Sequence, residues 1–332
     1  MYDNVRGNVM NMEKIAKIAG VSKAAVSFAL NDKPGISQAT RNQILKIAEE
    51  LNYVPRRKIK KDTIVFLLVT NDHAQSLDYF QRLPFFQSII DAFKTKSYLK
   101  GYNLSLQTVS KLDQDTFSNW QQTNIYGVVI LGTFLTSDDV LLLNKVHANI
   151  VILDNPSIEN SHSSVVINNK EGVRSIVHQI SPKETVLYVH GLPAIPNFQE
   201  RNTAFKYSAQ TKDFNLKEIK MDSFSFSETT TSEQQLIINT LQNNTTIVAE
   251  NDYLALKIAQ IVAEKKLTHN VKALFGFDNI KTLSQSPIPI KTVSVNVSVM
   301  VDMAIDLILK EYKVPVHVTV DTNFVEGDKN AK

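Results

Sequence analysis

The chain has 332 residues, 43% hydrophobic and 21% charged, and carries no cysteine. That length exceeds one small domain and supports two or three buried cores. No apolar run approaches the roughly 18–20 residues of a membrane span, and the lack of cysteine excludes disulfides, thiolate metal sites and a cysteine nucleophile.

Residues 1–10 are polar and offer no secretory apolar stretch, so the expected location is cytoplasmic, with no membrane partner. The formal charge of +3 hides an asymmetry: residues 1–61 hold 12 Lys/Arg against 5 Asp/Glu, net +7, and residues 62–332 hold 24 against 28, net −4. A basic segment on an acidic body is the footprint of a phosphate-binding surface, although a solvated basic tail would have the same composition.

Met12, Ile15, Ala16 and Ala19 fall at i, i+3, i+4 and i+7, one apolar face of a two-turn helix. Gly20 ends it, and Ser22 is a natural N-cap for a second helix from Lys23. Val26, Ala29 and Leu30 give that helix its inward face. Ser37 caps a third helix, with Ile44, Ile47, Ala48 and Leu51 on one stripe ending near Asn52 and Tyr53, before Pro55. The pattern predicts a helix-turn-helix; any small three-helix bundle would show similar stripes. The outward positions of the second helix, Lys23, Ala24, Ser27 and Phe28, are small or cationic near the end that would enter a major groove. Phe28 has no inward position to fill.

These residues also carry a resemblance. Ile15-Ala16, Ala19-Gly20-Val21-Ser22, Ala25-Val26-Ser27, Leu30-Asn31, Ser37, Thr40-Arg41 and Leu51-Asn52-Tyr53-Val54-Pro55 resemble the headpiece of the LacI/GalR repressors. The resemblance implies DNA contacts from Ser22, Asn31, Ser37, Thr40 and Tyr53 beside Lys23, Ala24, Ser27 and Phe28. Most members have arginine where this chain has Phe28, which cannot read guanine. An apolar contact to a thymine methyl is the expected substitute, with Lys23 the remaining donor to guanine O6/N7.

A short basic linker, residues 56–63, follows, with Arg56, Arg57 and Lys58 expected along phosphates or in a minor groove. The family's linker is typically about twice as long and contains a hinge helix. That helix is missing from this sequence, and a flexible solvated linker is the alternative.

From Ile64 onward, apolar strands at 64–69, 103–109, 127–131, 150–153, 165–167, 185–189, 247–249, 273–277 and 292–295 alternate with helical stretches, predicting a doubly wound parallel α/β fold. Pro84-Phe85-Phe86, Gly101-Tyr102, Gly127-Val128-Val129-Ile130, Asn168-Asn169 with Gly172, Arg201 with Ala204-Phe205, Glu250-Asn251-Asp252 with Ala255, and Gly276-Phe277-Asp278 are similar to the family's effector domain.

That resemblance implies a two-lobed, periplasmic-binding-protein-like body behind an N-terminal all-α helix-turn-helix domain. The expected divisions are an N-terminal extension (1–11), the helix-turn-helix (12–55), the linker (56–63) and an effector-binding and dimerisation domain (64–332). Its N-lobe would hold about 62–165 plus 291–315, and its C-lobe about 166–290 plus 316–332. Arg201, Asn251 and Asp278 match effector contacts, and Asp154, Asn168 and Phe224 are carried over with them. Asn168 stands where the family usually has Asp, and Ala204 where it has Gly. Charged and bidentate groups for vicinal hydroxyls, and an aromatic face for C–H surface, suit a mono- or disaccharide. Singly, such residues are more often caps or surface charges.

No reactive constellation indicates an enzyme. His73, His147, His162, His178, His190, His269 and His317 lack metal-ligand spacing, and Gly127 to Gly132 lacks the lysine of a phosphate loop. No cofactor or metal is expected. The reading is a sugar-responsive repressor, homodimeric on a pseudo-palindromic double-stranded operator. The alternative is a sugar sensor or solute-binding protein that does not bind DNA.

Overall fold

A computed structural model of the chain describes residues 12–30, 33–51, 53, 63–70, 83–113, 116–118, 120, 125–146, 148–156, 161–191, 195–221, 231–241, 244–310 and 312–327. The expected extension, all of the linker but its last residue, and the site residues Asn31, Arg56, Arg57, Lys58 and Phe224 lie outside them.

Three short helices form the headpiece: α1 (Met12–Ala19), α2 (Lys23–Leu30) and α3 (Gln38–Glu50). Ile15, Val26 and Ile44, fully buried, form its core with Ala16, Ala19, Ala29, Leu30 and Ala48. Gly20 takes φ +67, the left-handed turn that lets α2 leave α1 at once. The Ala25 amide donates to Ser22 Oγ at 3.1 Å, and the Thr40 amide to Ser37 Oγ at 3.1 Å, so both predicted serines cap helix N-termini. Arg41 closes the other end of α2: Nη1 donates to the Phe28 carbonyl at 3.1 Å and the Ala29 carbonyl at 3.3 Å, oxygens of the last helical turn, and Nη2 donates to the Lys33 carbonyl at 2.5 Å in the loop beyond.

The body contains two parallel sheets. In the first, the order is β11 (His317–Val320), β5 (Ser163–Ile167), β4 (Ile150–Leu153), β3 (Ile125–Leu131), β1 (Thr63–Val69) and β2 (Asn103–Val109). In the second, the order is β7 (Asn215–Lys220), β6 (Thr185–His190), β8 (Thr245–Ala249) and β9 (Val271–Phe275). The inner strands β1, β4 and β8 are buried almost end to end, as strands covered on both faces must be. Helix α4 (Pro84–Leu99) joins β1 to β2, α5 (Ser137–Leu143) joins β3 to β4, and α6 (Asn169–His178) joins β5 to β6. In the second sheet, α7 (Pro196–Lys212), α8 (Thr231–Thr240) and α9 (Asp252–Glu264) make the corresponding crossovers. Each sheet has its own apolar cluster, one including Leu187, Ile247 and Ile258, the other Val65, Val128 and Trp120.

The chain crosses between the lobes late, and here the expected lobe boundaries are corrected. Thr292–Val295 (β10) lies beside the second sheet through parallel bridges from Phe275 to Lys291 and from Asp278 to Ser294, and pairs antiparallel with β12 (Thr322–Val325). Helix α10 (Val297–Leu309) then packs on β3, β4 and β5, and β11 pairs parallel with β5 of the first sheet. So 291–295 belongs with the second lobe and 317–320 with the first. Apolar pattern marks a strand but not its pairing partner. Strands β7, β11 and β12 escaped the sequence reading because they are short or half-exposed edges; in β7 only Ile219 is buried.

Candidate DNA-reading edge and ligand cleft

The exposed N-terminal turn of α2 presents Ser22, Lys23 and Ala24, with Ser27 half-buried behind them. Lys23 Nζ lies 2.7 Å from Glu13 Oε1 on the first turn of α1, with both side chains more than half exposed. That contact holds the Glu13 carboxyl below its ordinary range. Ser37 and Thr40 sit together at the start of α3, their hydroxyls 2.8 Å apart. Tyr53 packs partly buried on the headpiece core.

Phe28 requires a correction. Its ring is half-buried against Gly35, where a Cβ would lie 3.1 Å from it; Gly35, at φ +119, leaves the ring its place. The ring therefore has an internal partner in the loop between α2 and α3, which the helical spacing of α2 could not show.

In the body, the carboxyl ends of strands from both sheets converge on a cleft, the place where open α/β sheets take ligands. Thr133 follows β3, Asp154 follows β4, Asn251 follows β8 and Asp278 follows β9; Arg201 comes from α7. Phe85, Phe86, Ile195, Phe198 and Tyr253 supply apolar and aromatic walls, and Asn197 completes the lining. The cavity enclosed is about 30 Å3.

Arg201 is the hub. Its Nε donates to Asn169 Oδ1 at 2.8 Å, Nη1 to the Glu250 carbonyl at 3.2 Å, and Nη2 to Asp278 Oδ1 at 3.0 Å. Its guanidinium lies 3.7 Å above the Phe277 ring. That ring fits because Gly172 faces it; a Cβ there would come within 2.5 Å. Asp278, at φ +109, is held in a conformation an L-residue rarely takes. Behind it, Asp252 accepts from the Ile280 amide at 3.0 Å and from Thr292 Oγ1 at 2.7 Å, and Gly276 leaves Asp252 its room.

On the facing side, Asp154, at φ +68, accepts from Thr133 Oγ1 at 2.6 Å and from Asn197 Nδ2 at 2.9 Å. Burial pushes its carboxyl up to about 6, against the lowering pull of the Thr133 bond and of Arg201. Burial raises Glu250 to about 7 and also raises Asp278, which Arg201 partly offsets. The cleft thus offers fixed acceptors, one stacked cation already engaged, and aromatic faces. Such a lining is chemically suited to hydrogen-bond donors on a compact, partly apolar molecule.

Of the expected effector residues, Asp154, Arg201, Asn251 and Asp278 come together. Asn168 does not line the cleft: its Oδ1 caps α6 from the Glu171 amide at 3.2 Å, and its Nδ2 donates to Asp321 at 2.8 Å. The buried neighbour Asn169 is the one that reaches Arg201, as well as Asn197 and Glu200. Asn251 lines the cleft while its Oδ1 caps α9. Thr133, Ile195, Asn197, Phe198 and Tyr253 were not anticipated as site residues, and nothing in their local sequence marks them. Phe85 and Phe86 were noted only as part of a matching motif.

Residues 11–56 match the family described as bacterial regulatory proteins, lacI family. Over 299 residues the chain is 24% identical to the HTH-type transcriptional repressor PurR of Vibrio vulnificus (strain CMCP6), an alignment that covers 85% of this chain and 86% of that protein. A lac repressor dimer bound to operator and the anti-inducer ONPF shares the fold with TM-score 0.66 at 16% identity, over 96% of this chain and 98% of that one. The transcriptional regulator CelR in complex with cellobiose does so with TM-score 0.62 at 18% identity, over 96% and 100%. A helix-turn-helix headpiece and a periplasmic-binding-protein-like body define a DNA-binding transcriptional regulator. Within that class, its headpiece matches the lacI family and the chain as a whole is similar to LacI/GalR regulators. Among its described residues no helix is long and apolar enough to cross a membrane.

Proposed function

We propose that the chain is a sugar-responsive repressor that binds a pseudo-palindromic operator as a homodimer. Its domains are the helix-turn-helix at 12–55, the linker at 56–63 and the effector and dimerisation body at 64–332. One observation carries the sugar assignment: Asp154, Arg201, Asn251 and Asp278 meet in a cleft walled by Phe85, Phe86, Phe198 and Tyr253. Carboxylates and amides suit vicinal hydroxyls, and aromatic faces suit the C–H side of a pyranose or furanose ring. Relatives support it: the CelR structure holds cellobiose, and a LacI-family regulator from Enterococcus faecium, with TM-score 0.62 to this chain, holds ribose.

A cavity of about 30 Å3 holds roughly one water. Ligand pockets are typically about 300–1,000 Å3, so a sugar enters when the lobes part. Coupling to DNA is then the ligand's differential affinity for the DNA-competent arrangement, typically about 1–3 kcal/mol.

On the DNA side, Ser22, Lys23, Ala24 and Ser27 face the major groove. Ser37, Thr40 and Tyr53 contact the backbone, and Asn31, Arg56, Arg57 and Lys58 extend the contact. Phe28 contributes at most the edge of a ring otherwise packed on Gly35. Lys23→Ala is expected to weaken specific binding by about 1–3 kcal/mol, and equal loss on random duplex would make Lys23 a phosphate contact instead.

The deciding experiment is a thermal-shift screen of mono- and disaccharides, followed by binding to a duplex selected from a random pool with each hit present and absent. A sugar that shifts the melting temperature and changes duplex affinity at least tenfold, in either direction, supports the proposal. No shift with any sugar, or no preference for any duplex, overturns it.

A further inference from the structure

Lys23 opens α2, where the helix's own amides present partial positive charge and a lysine is electrostatically disfavoured. Its ammonium is held by Glu13 across the α1–α2 turn at 2.7 Å, with the carboxylate 66% and the lysine 56% exposed. The edge offered to DNA is therefore not simply cationic. It carries a donor and an acceptor side by side, within one hydrogen-bond length.

Most of what DNA presents to such an edge is acceptor: phosphate oxygens along the backbone, and N7, O6 and O4 in the major groove. A carboxylate brought against these loses its water and gains nothing. An exocyclic amine is the exception, and cytosine N4 is the partner acidic side chains take in the major groove, with guanine O6 and N7 of the same base pair available to a lysine. Guanine O6 and cytosine N4 are themselves hydrogen-bonded across the pair. A Lys–Glu pair and a G·C edge thus match donor to acceptor without breaking the Lys23–Glu13 contact.

We propose that Glu13 is a specificity-determining residue of the headpiece. It penalises duplex of arbitrary sequence, and the penalty is relieved where a cytosine amine lies opposite it, so that Lys23 and Glu13 together select one G·C pair in each half-site. This rests on the reading that the N-terminal turn of α2 faces the bases, which the Lys23 variant below tests separately.

The test uses the full chain and compares wild type with Glu13→Gln. Each is put through selection from a random duplex pool, and affinities for the selected and for a random duplex are then measured at two salt concentrations. Glu50→Gln, the same charge change on an exposed position of α3, controls for net charge, and thermal unfolding confirms that each variant is folded.

Glu13→Gln is expected to tighten random-duplex binding roughly threefold, the scale of one exposed charge contact. It should tighten the selected duplex less or weaken it, so the ratio of the two affinities falls, and enrichment of one G·C pair per half-site should fade. In a Lys23→Gln background the same change should alter that ratio by less than half as much, as coupled neighbours do in a double-mutant cycle. The proposal is overturned if Glu13→Gln changes both affinities equally, changes neither, or leaves the selected sequence as it was. If Lys23→Gln also leaves both affinities unchanged, the reading edge itself has been misassigned.

Discussion

The headpiece and the cleft are built on different scales of sequence. The headpiece brings together side chains no more than a few dozen residues apart: Ser22 caps the helix it precedes, Ser37 does the same for α3, and Arg41 reaches back 13 residues to Phe28. The cleft joins Thr133 and Asp154 to Arg201, Asn251 and Asp278. Its central ion pair spans 77 residues, and both partners are almost wholly buried. Local contacts make the headpiece tolerant of single polar changes at its surface. The cleft depends on a few desolvated groups, each of which leaves another unsatisfied when removed.

The sharpest way to break that contrast is Arg201→Ala. It strands the buried Asp278 carboxylate and Asn169, so the expected loss in denaturant unfolding of the body is about 3–5 kcal/mol. Restoring much of that loss with an apolar Arg201→Met/Asp278→Leu pair would show that the ion pair serves binding rather than stability. A loss under 1 kcal/mol would mean that the cleft is solvated and the contrast false.

Ile44→Ala, in the headpiece core with no solvent exposure, is expected to cost about 2–5 kcal/mol. It should abolish duplex binding while leaving any sugar-induced thermal shift of the body intact. Loss of both signals together would show that the two regions fold as one unit.

Asp154→Asn sharpens the electrostatic side. The Asp154 carboxyl is raised from the ordinary range to about 6 and that of Glu250 to about 7. Between about pH 4 and 7 the folded protein holds protons that the unfolded chain releases, so these groups make stability fall as pH rises through that window. Each of the two is worth on the order of 3 kcal/mol, and Asp154→Asn should flatten the lower part of the slope. An unchanged pH dependence of the unfolding free energy would show that Asp154 stays ionised through the window.

The smallest effect is expected from Ser37→Ala. Losing the α3 cap should destabilise the headpiece by about 1 kcal/mol, measured by its thermal unfolding, with no effect on the body.

Where contacts are local, the sequence itself places the residues. The glycine at position 20 and the serines at 22 and 37 announce helix ends through their own chemistry. The stripes Ile15–Ala19 and Ile44–Ala48 announce which faces turn inward. Phe28 marks the limit even there, because its packing partner is a glycine in the next loop, and a residue without a side chain leaves no apolar signature. In the cleft, Asp278 and Arg201 were legible through motifs, whereas Asn168 and its neighbour Asn169 exchange roles on a one-residue difference. The first of them caps α6 and the second is buried against Arg201; adjacent asparagines at a helix start look alike until the helix is docked.

The sequence alone determined that a basic three-helix cap precedes an α/β body, because charge, helical period and capping chemistry act over a few residues. Only the tertiary structure decided that β11 returns to the first sheet and that Thr133, Asn197 and Tyr253 complete the lining of the cleft. It alone joined Glu13 to Lys23 and gave Phe28 its partner in Gly35. Each of these follows from strand pairing or side-chain packing between segments whose separation along the chain carries no trace of their proximity.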